Sequence, residues 1–311
     1  MERLSDFLNR LFDEYHRDFL LSTDPLEFVH RYQDPRDREV IALISALLAY
    51  GNVRQIRSSI QNAIDRMSSI ATSPREFIFH LQEPAFRRQA FKVFRDWVHR
   101  FNTGSDLVRL LELLARSWER HGSLGGHFLS YKDPDDSDIE TALNKLIAEW
   151  RSWAKATGAA KHSSFYFFLT APASGSCCKR WCMFLRWMGR RDALDPGLWC
   201  MESPLLSTFP EGRYLRTAEL VIPLDTHTGR ISRYLGLTTR KNADWKAALE
   251  VTERLRECDP NDPVRYDFAI SRLGILDLCQ KSKNKEICSR CPLDQVCTPP
   301  PLPLRLKEAE S

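Results

Sequence analysis

The chain has 311 residues, of which 43% are hydrophobic, and a formal net charge of +4. This composition is ample for a packed core and is typical of an ordinary soluble globular protein. No stretch approaches the roughly 18 apolar residues that a membrane span needs, and residues 1–11 have no unbroken apolar segment like that of an export signal. We therefore expect a cytoplasmic protein that does not enter a membrane.

The positive charge is concentrated in one part of the chain. Residues 176–256 contain 14 Lys/Arg and 9 Asp/Glu, a difference of +5, so the rest of the chain carries −1. A local basic excess suits a polyanionic partner such as nucleic acid, although a mildly basic surface is also common in proteins that bind no polyanion.

Hydrophobic periodicity is helical almost throughout. Residues 38–50 are apolar on nearly every side, as in a helix buried within a bundle, and residues 107–118 and 141–153 repeat apolar positions every three or four residues. Asp34-Pro35 is a helix-start signal before the first of these segments. No run of strand alternation competes, so the sequence predicts an all-α protein.

Turn residues interrupt this helical pattern at three places. Residues 171–176 (A-P-A-S-G-S) form a small-residue turn before a helix predicted to begin near Cys178. Residues 192–212 contain three prolines and two glycines and are predicted to be a loop or insertion. The proline-rich tail from Thr298 is predicted to be extended or disordered.

Four of the nine cysteines are spaced as metal ligands near the end of the chain. They are arranged as C-x8-C-x2-C-x5-C: Cys279, Cys288, Cys291 and Cys297. Structural zinc usually takes two C-x2-C knuckles, whereas one knuckle with wider flanking gaps favours a loop around a [4Fe–4S] cluster. Zinc and unmetallated cysteines remain alternatives. The other five cysteines lack such spacing and are expected to be buried free thiols.

Two further segments contain candidate functional residues. Gly175 and Ser176 open a helix with an early lysine, Lys179, and such a turn presents free N–H groups to a phosphate. Asp225 lies in L-D-T-H and is expected at a helix N-terminus. Taken alone, the aspartate is expected to be a helix cap, and the turn is of a kind that most helical proteins contain.

The order of these features resembles that of the helix–hairpin–helix DNA glycosylases, in particular the iron–sulfur branch typified by endonuclease III. That branch has a glycine hairpin, a helix with an early nucleophilic lysine, a V-D-T-H segment and a terminal cysteine loop. The corresponding pieces here are Pro172 to Ser176, Lys179, Leu224 to His227 and the four cysteines. The match is specific at Asp225-Thr226-His227 with Arg230 and Ile231, and at the last three cysteines, and it covers about a third of the chain.

This chain also departs from the pattern of that branch. Its hairpin has one glycine instead of two, the first cysteine gap is x8 instead of x6, and roughly 28 extra residues separate Lys179 from Asp225. Where the family has a glutamine that fills the gap left by a flipped base, this chain has Leu47-Leu48-Ala49-Tyr50-Gly51-Asn52.

The resemblance implies a fold and a reaction. It implies two helical domains with a DNA-binding cleft between them, residues 37–215 and residues 1–36 plus 216–311. Lys179 would attack C1′ of a damaged nucleotide while Asp225 stabilises the transition state, giving base removal and strand cleavage. Residues expected to contact double-stranded DNA are Gly175, Ser176, Arg180 and Arg230. We expect a monomer.

Other assignments remain open at this point. The scaffold could be a non-catalytic protein that binds DNA lesions or structured DNA, or a monofunctional glycosylase in which water attacks C1′ and Lys179 contacts phosphate. The aromatic residues Trp181, Trp187 and 165–168 are expected in the core rather than stacked on a base. His227 is expected to be a structural hydrogen-bonding residue rather than a general base, and Arg230 could contact phosphate or equally be solvated.

Overall fold

The computed structural model describes residues 3–158, 163–280, 282 and 285–298. Helices dominate it, which confirms the predicted all-α class. They are α1 (Leu4–Tyr15), α2 (Pro35–Leu47), α3 (Val53–Ser68), α4 (Pro74–His80), α5 (Pro84–Val93), α6 (Gly104–His121), α7 (Leu124–Ser130), α8 (Glu140–Ala156), α9 (Lys179–Gly189), α10 (Thr226–Tyr234), α11 (Trp245–Arg256), α12 (Asp267–Ile275) and α13 (Lys285–Cys288). Short 3-10 segments include Asp18–Thr23, Pro25–Arg31, Ser164–Phe167 and Pro172–Ser174. No helix in these described ranges is both long and apolar enough to cross a bilayer.

Polar caps set the helix starts that the sequence predicted. Asp34 caps α2 by accepting the backbone N–H groups of Arg36 and Asp37, and Pro35 occupies the first helical turn, where its missing N–H costs nothing. Helix α6 begins with a reciprocal capping box between Thr103 and Asp106.

Helix α2 lies at the centre of the core. Its residues from Glu39 to Leu47 are all buried, as the apolar run predicted, and it packs against the Pro25–Arg31 segment and α9. Trp181, Trp187, Phe165 and Phe168 are buried in the same hydrophobic cluster, which confirms the predicted core role for these four. Tyr166 and Phe167 of the same predicted group are half-buried.

A small β-hairpin follows α5 and was not predicted. Strand β1 (Val98–His99) pairs antiparallel with β2 (Asn102–Thr103), so Arg100 and Phe101 form the connecting turn. Two-residue strands are too short to show the alternation by which strands are recognised in a sequence.

Residues 192–212 lack a long regular element, as expected, but they are anchored in the core. Trp199 is buried, and its indole N–H donates to Glu39 Oε1 at 2.8 Å. The fully buried Glu39 carboxylate also accepts the Trp118 indole N–H at 2.7 Å and the backbone N–H groups of Leu124 and Gly125 at 3.1 Å. Burial raises the pKa of Glu39. This hub joins α2, α6, α7 and the predicted loop.

Part of the basic excess of residues 176–256 lies inside the protein. Arg186 of α9 and Arg190, which follows the last residue of that helix, are buried and share the carboxylate of Asp195. Arg186 also pairs with Asp267, and Arg190 with Asp262. These internal ion pairs neutralise part of the positive charge that, from the residue count, had suggested a polyanionic partner.

The hydrophobic core is continuous from Phe7 to Leu293 through the described residues. Helix α1 packs against α12, which brings Leu4–Tyr15 beside Asp267–Ile275. A division into residues 37–215 and 1–36 plus 216–311 stays a prediction.

Candidate functional site

A cavity of about 500 Å³ lies where several helix ends meet. It is bordered by the loop after α2, the first residues of α9 and α10, the inner face of α12 and the turn at Thr23–Pro25. Its lining includes Ala49, Tyr50, Gly51, Phe167, Ser176, Lys179, Arg180, Arg186, Asp225, His227, Asp267 and Arg272. The volume is within the usual range for small-molecule sites.

Lys179 and Asp225, which lie 46 positions apart in the sequence, meet in this cavity. Lys179 Nζ is 3.8 Å from Asp225 Oδ2, and the two side chains are 30% and 24% exposed. Lys179 Nζ also donates to the backbone carbonyl oxygen of Ala49 at 3.3 Å, at the end of α2. The pair is therefore partly shielded and still open to a ligand.

The two carboxylate oxygens of Asp225 have different partners. Oδ1 accepts the backbone N–H groups of His227 and Thr228, each at 2.8 Å, so Asp225 is the N-cap of α10 as predicted. Oδ2 faces Lys179. The cap holds the carboxylate in place, so the helix-capping role and a functional role are compatible.

The turn before α9 has an irregular backbone. Gly175 is exposed with φ +78°, and Cys178 adopts φ +48°, an unusual value for a residue with a side chain. The Gly175 carbonyl oxygen accepts the Trp245 backbone N–H at 3.2 Å, and the backbones of Ser176 and Asp244 form an isolated antiparallel β-bridge. These contacts hold the turn against the start of α11. A DNA contact at Gly175 and Ser176 stays a prediction.

Arg180 is buried, although it borders the cavity. Its guanidinium donates to the carbonyl oxygens of Leu47, at 2.9 Å, and Phe167, and it stacks 3.8 Å from the Phe167 ring. Burial lowers its pKa to about 10. Through these contacts Arg180 joins α9 to the end of α2. The predicted DNA contact would require its guanidinium to give up the two carbonyl oxygens.

Two charged pairs that the sequence did not reveal line the cavity. Arg186 pairs with Asp267, whose pKa burial raises to about 6 despite the arginine. Arg272 donates to Asp24 Oδ2 at 2.9 Å and to the Thr23 hydroxyl at 2.6 Å. These residues come from three distant segments, and only the folded chain brings them together.

His227 follows the capping aspartate and packs against α12. A Cβ added to Gly274 would lie 2.4 Å from His227 Cβ, so the two helices approach closely at this point. His227 Nδ1 is buried without a hydrogen-bond partner among the described residues. A packing role is therefore observed for His227.

Arg230 points from α10 towards the cysteine loop. Its guanidinium donates to the Cys279 carbonyl oxygen at 2.7 Å. Through this contact Arg230 joins α10 to the predicted metal loop. Its guanidinium is therefore not simply solvated, which was one of the alternatives. A phosphate contact by Arg230 stays a prediction.

The four cysteines of the predicted metal site line one small cavity of about 30 Å³, together with Tyr234, Leu278 and Asp294. Burial raises the pKa of the Cys279 and Cys291 thiols, while the Arg230 guanidinium acts in the opposite direction on Cys279. No three His, Cys, Asp or Glu side chains in the described ranges are arranged to hold one metal ion. The four thiols therefore share one cavity without a preformed site for a single ion among the described residues, and a [4Fe–4S] cluster stays a prediction.

Outside this loop the cysteines are free thiols. Cys178 and Cys182 are buried as expected, and Cys177, Cys200 and Cys258 are half-buried. The sequence between Cys279 and Cys288 contains three lysines that a bound cluster would be expected to hold against a DNA backbone. Two of them, Lys281 and Lys283, lie outside the described residues, as does the side chain of Lys285.

The observed fold and site define a helical protein with a charged cavity at converging helix ends and a separate four-cysteine pocket. Residues 24–276 match the DUF2400 family, described as a protein of unknown function. This match spans most of the chain, so the protein belongs to the DUF2400 family. Comparison with curated proteins and with solved structures gives no match.

Proposed function

We propose that this protein is a cytoplasmic DNA glycosylase of base-excision repair with an associated lyase activity. The observation that carries the proposal is the meeting of Lys179 Nζ and Asp225 Oδ2, 3.8 Å apart, beside a cavity of about 500 Å³. A nucleotide inside a DNA stack is out of reach of such a pair, so the target would be extruded into the cavity. The resemblance in motif order supports the same reaction.

The proposed chemistry divides between the two side chains. The Lys179 nitrogen attacks C1′ as the bond from C1′ to the base breaks, and the base leaves with the bonding electron pair. The Asp225 carboxylate stabilises the positive charge that develops on the sugar. Its Oδ2 also accepts the lysine proton after closing from 3.8 Å to hydrogen-bonding distance. The product is an aminal at C1′. Its C1′–O4′ bond then breaks as the proton held by Asp225 passes to O4′, which opens the sugar and leaves a Schiff base that permits β-elimination and strand cleavage.

The helix ends support an anionic ligand. Helices α3, α9 and α10 all begin at residues next to the cavity, and the positive end of each helix dipole favours a phosphate nearby. The described lining contains four Lys/Arg and three Asp side chains, a difference of +1. A DNA backbone is therefore compatible with the charge of this surface.

Borohydride trapping tests the lysine role. We expect the full chain to form a covalent complex with duplex DNA that contains an abasic site, because borohydride reduces a Schiff base to a stable amine. Lys179→Gln should abolish this complex, whereas Lys92→Gln, at an exposed position on α5, should leave it unchanged. Trapping that survives Lys179→Gln would remove Lys179 as the nucleophile.

A non-catalytic DNA-binding protein is the second candidate. It is favoured by the internal partners of Lys179, whose ammonium group both donates to the Ala49 carbonyl oxygen and faces Asp225. Salt-dependent binding without turnover on duplexes with oxidised, alkylated or deaminated bases would select it. Base release without strand nicking would instead select the monofunctional glycosylase.

We also propose that Cys279, Cys288, Cys291 and Cys297 hold a [4Fe–4S] cluster, with zinc as the alternative. All four line one pocket, and burial raises the pKa of the Cys279 and Cys291 thiols, so these two favour the protonated form unless a metal displaces the proton. When bound, the cluster would fix the loop that contacts α10 through Arg230.

A further inference from the structure

The turn of the β-hairpin presents an aromatic ring to solvent. Phe101 is 51% exposed, and Arg100 beside it is also exposed. Single exposed aromatic side chains are common on protein surfaces, so the argument for Phe101 rests on where its ring is held rather than on its exposure.

The hairpin is fastened to the rim of the cavity. The Phe101 ring lies 5.5 Å from the Tyr50 ring and 4.8 Å from the Phe167 ring, between centroids, and both of those residues line the cavity. The Tyr50 hydroxyl donates to Asn102 Oδ1, and His99 is within 3.1 Å of the Tyr50 carbonyl oxygen. The ring of Phe101 is thus held at a defined position against two residues that line the same cavity as Lys179 and Asp225.

The backbone conformation at this rim lets Arg100 lie close to the loop after α2. Arg100 has φ +56°, in the left-handed region that favours glycine. Gly51 has φ +101°, and a Cβ at that position would lie 2.8 Å from Arg100 Cδ. A glycine at the rim and an arginine in a glycine-like conformation together let the hairpin turn lie against the loop after α2.

We propose that Phe101 is a positioning residue that enters the base stack of duplex DNA where a nucleotide has been extruded into the cavity, while Arg100 contacts the adjoining phosphate. This inference rests on the proposed function. Extruding a nucleotide leaves a gap in the stack, and apolar side chains that enter base steps stabilise such a distortion. The loop after α2 has no glutamine to fill this gap, and the hairpin supplies a ring at its rim instead.

Equilibrium binding of the full chain to two fluorescent duplexes tests the inference. One duplex carries a tetrahydrofuran abasic analogue opposite 2-aminopurine, and the other is intact. We expect Phe101→Ala to weaken binding of the abasic duplex about 10-fold, to reduce the 2-aminopurine response, and to change binding of the intact duplex less than about twofold. Phe101→Tyr should restore both signals. Phe79→Ala is the matched control, since Phe79 lies on α4 and is 70% exposed.

The outcomes separate this inference from the proposed function. Equal weakening on both duplexes, or none, in Phe101→Ala would overturn the positioning role even if Lys179 forms a trapped complex. Selective weakening together with failed trapping would support the positioning role and overturn the glycosylase chemistry. Absence of binding to either duplex would overturn both.

Discussion

Buried charged and polar side chains in this protein are satisfied in two ways. Glu39 forms no ion pair with the described residues and is held by four N–H donors, two of them from tryptophan side chains. Arg186 and Arg190 are instead paired with carboxylates. Removing one member of either arrangement would leave a buried charge without compensation, which is far more costly than losing an exposed ion pair.

His127 is a third buried polar residue, and it titrates. Its side chain is 0% exposed, with Nε2 2.7 Å from Glu149 Oε2 and Nδ1 2.9 Å from the Ser117 hydroxyl. Burial lowers the pKa of His127 from 6.5 to about 4, despite the nearby carboxylate. The folded state therefore keeps this histidine neutral.

We predict that His127 makes the stability depend on pH in the acid range. The unfolded chain takes up a proton near pH 6.5 and the folded chain only near pH 4, so stability is complete above pH 6.5 and falls as the pH drops. The loss contributed by His127 should reach about 3 kcal/mol near pH 4. Denaturant titrations at several pH values should show a weaker pH dependence in His127→Gln and an unchanged one in His80→Gln, a histidine whose side chain is 40% exposed.

At the residue scale, sequence reasoning worked where the signal was local. Asp225 was predicted as a helix cap from its neighbours, and the cap is observed. The pairs of Arg186 with Asp267 and Arg272 with Asp24 were missed, because their members lie 81 and 248 positions apart and neither arginine has a local motif.

Helix α10 connects the two candidate sites. It begins at the Asp225 cap and ends at Tyr234, whose carbonyl oxygen accepts the Thr298 backbone N–H at 2.8 Å, just after the last cysteine. Arg230 adds a second contact to the cysteine loop. A nine-residue helix is rigid over its length of about 14 Å, so a shift of the loop would move the capping aspartate.

We predict that Gly274→Ala disturbs both stability and chemistry. The new methyl group would lie 2.4 Å from His227 Cβ, and neither helix backbone can yield cheaply. The free energy of unfolding should fall by about 1–3 kcal/mol, and the yield of the trapped complex should fall with it. Gly229→Ala is the control, because its nearest neighbour would be 3.7 Å away. Equal effects of the two substitutions would exclude the close contact as the cause.

At the element scale, the long helices were predictable because their apolar periodicity and caps agree. The predicted starts of α2 and α9 fall within one to three residues of those observed. The β-hairpin and the 3-10 segments were not predictable, since elements of two to seven residues are fixed by their packing rather than by their own pattern.

Charge is distributed over the whole molecule differently from the way it is distributed along the sequence. Residues 176–256 carry a difference of +5, but Arg186 and Arg190 contribute to internal pairs. Net charge per segment predicted a polyanion partner without showing which arginines reach the surface. The folded structure adds what the sequence lacked, because the helix ends beside the cavity give the proposed partner a place to bind.

The proposed cluster makes a prediction for the holoprotein. Purified without oxygen, it should contain roughly four irons and four sulfides per chain and should be brown. Cys288→Ser should lose iron and lower the thermal unfolding midpoint, because the metal holds the terminal loop against α10. Cys258→Ser, at a half-buried cysteine outside the loop, should keep its iron. A colourless protein with one zinc per chain would contradict the cluster and favour the zinc alternative.

The buried anchor of residues 192–212 has a consequence for shortening the chain. This stretch resembles a surface insertion in composition, and such segments are the usual targets when a smaller version of a protein is made. Its removal would take Trp199 from the Glu39 carboxylate and Asp195 from both buried arginines. A truncated protein would thus lose internal counter-charges as well as exposed backbone, and a minimal version of this fold has to retain the segment.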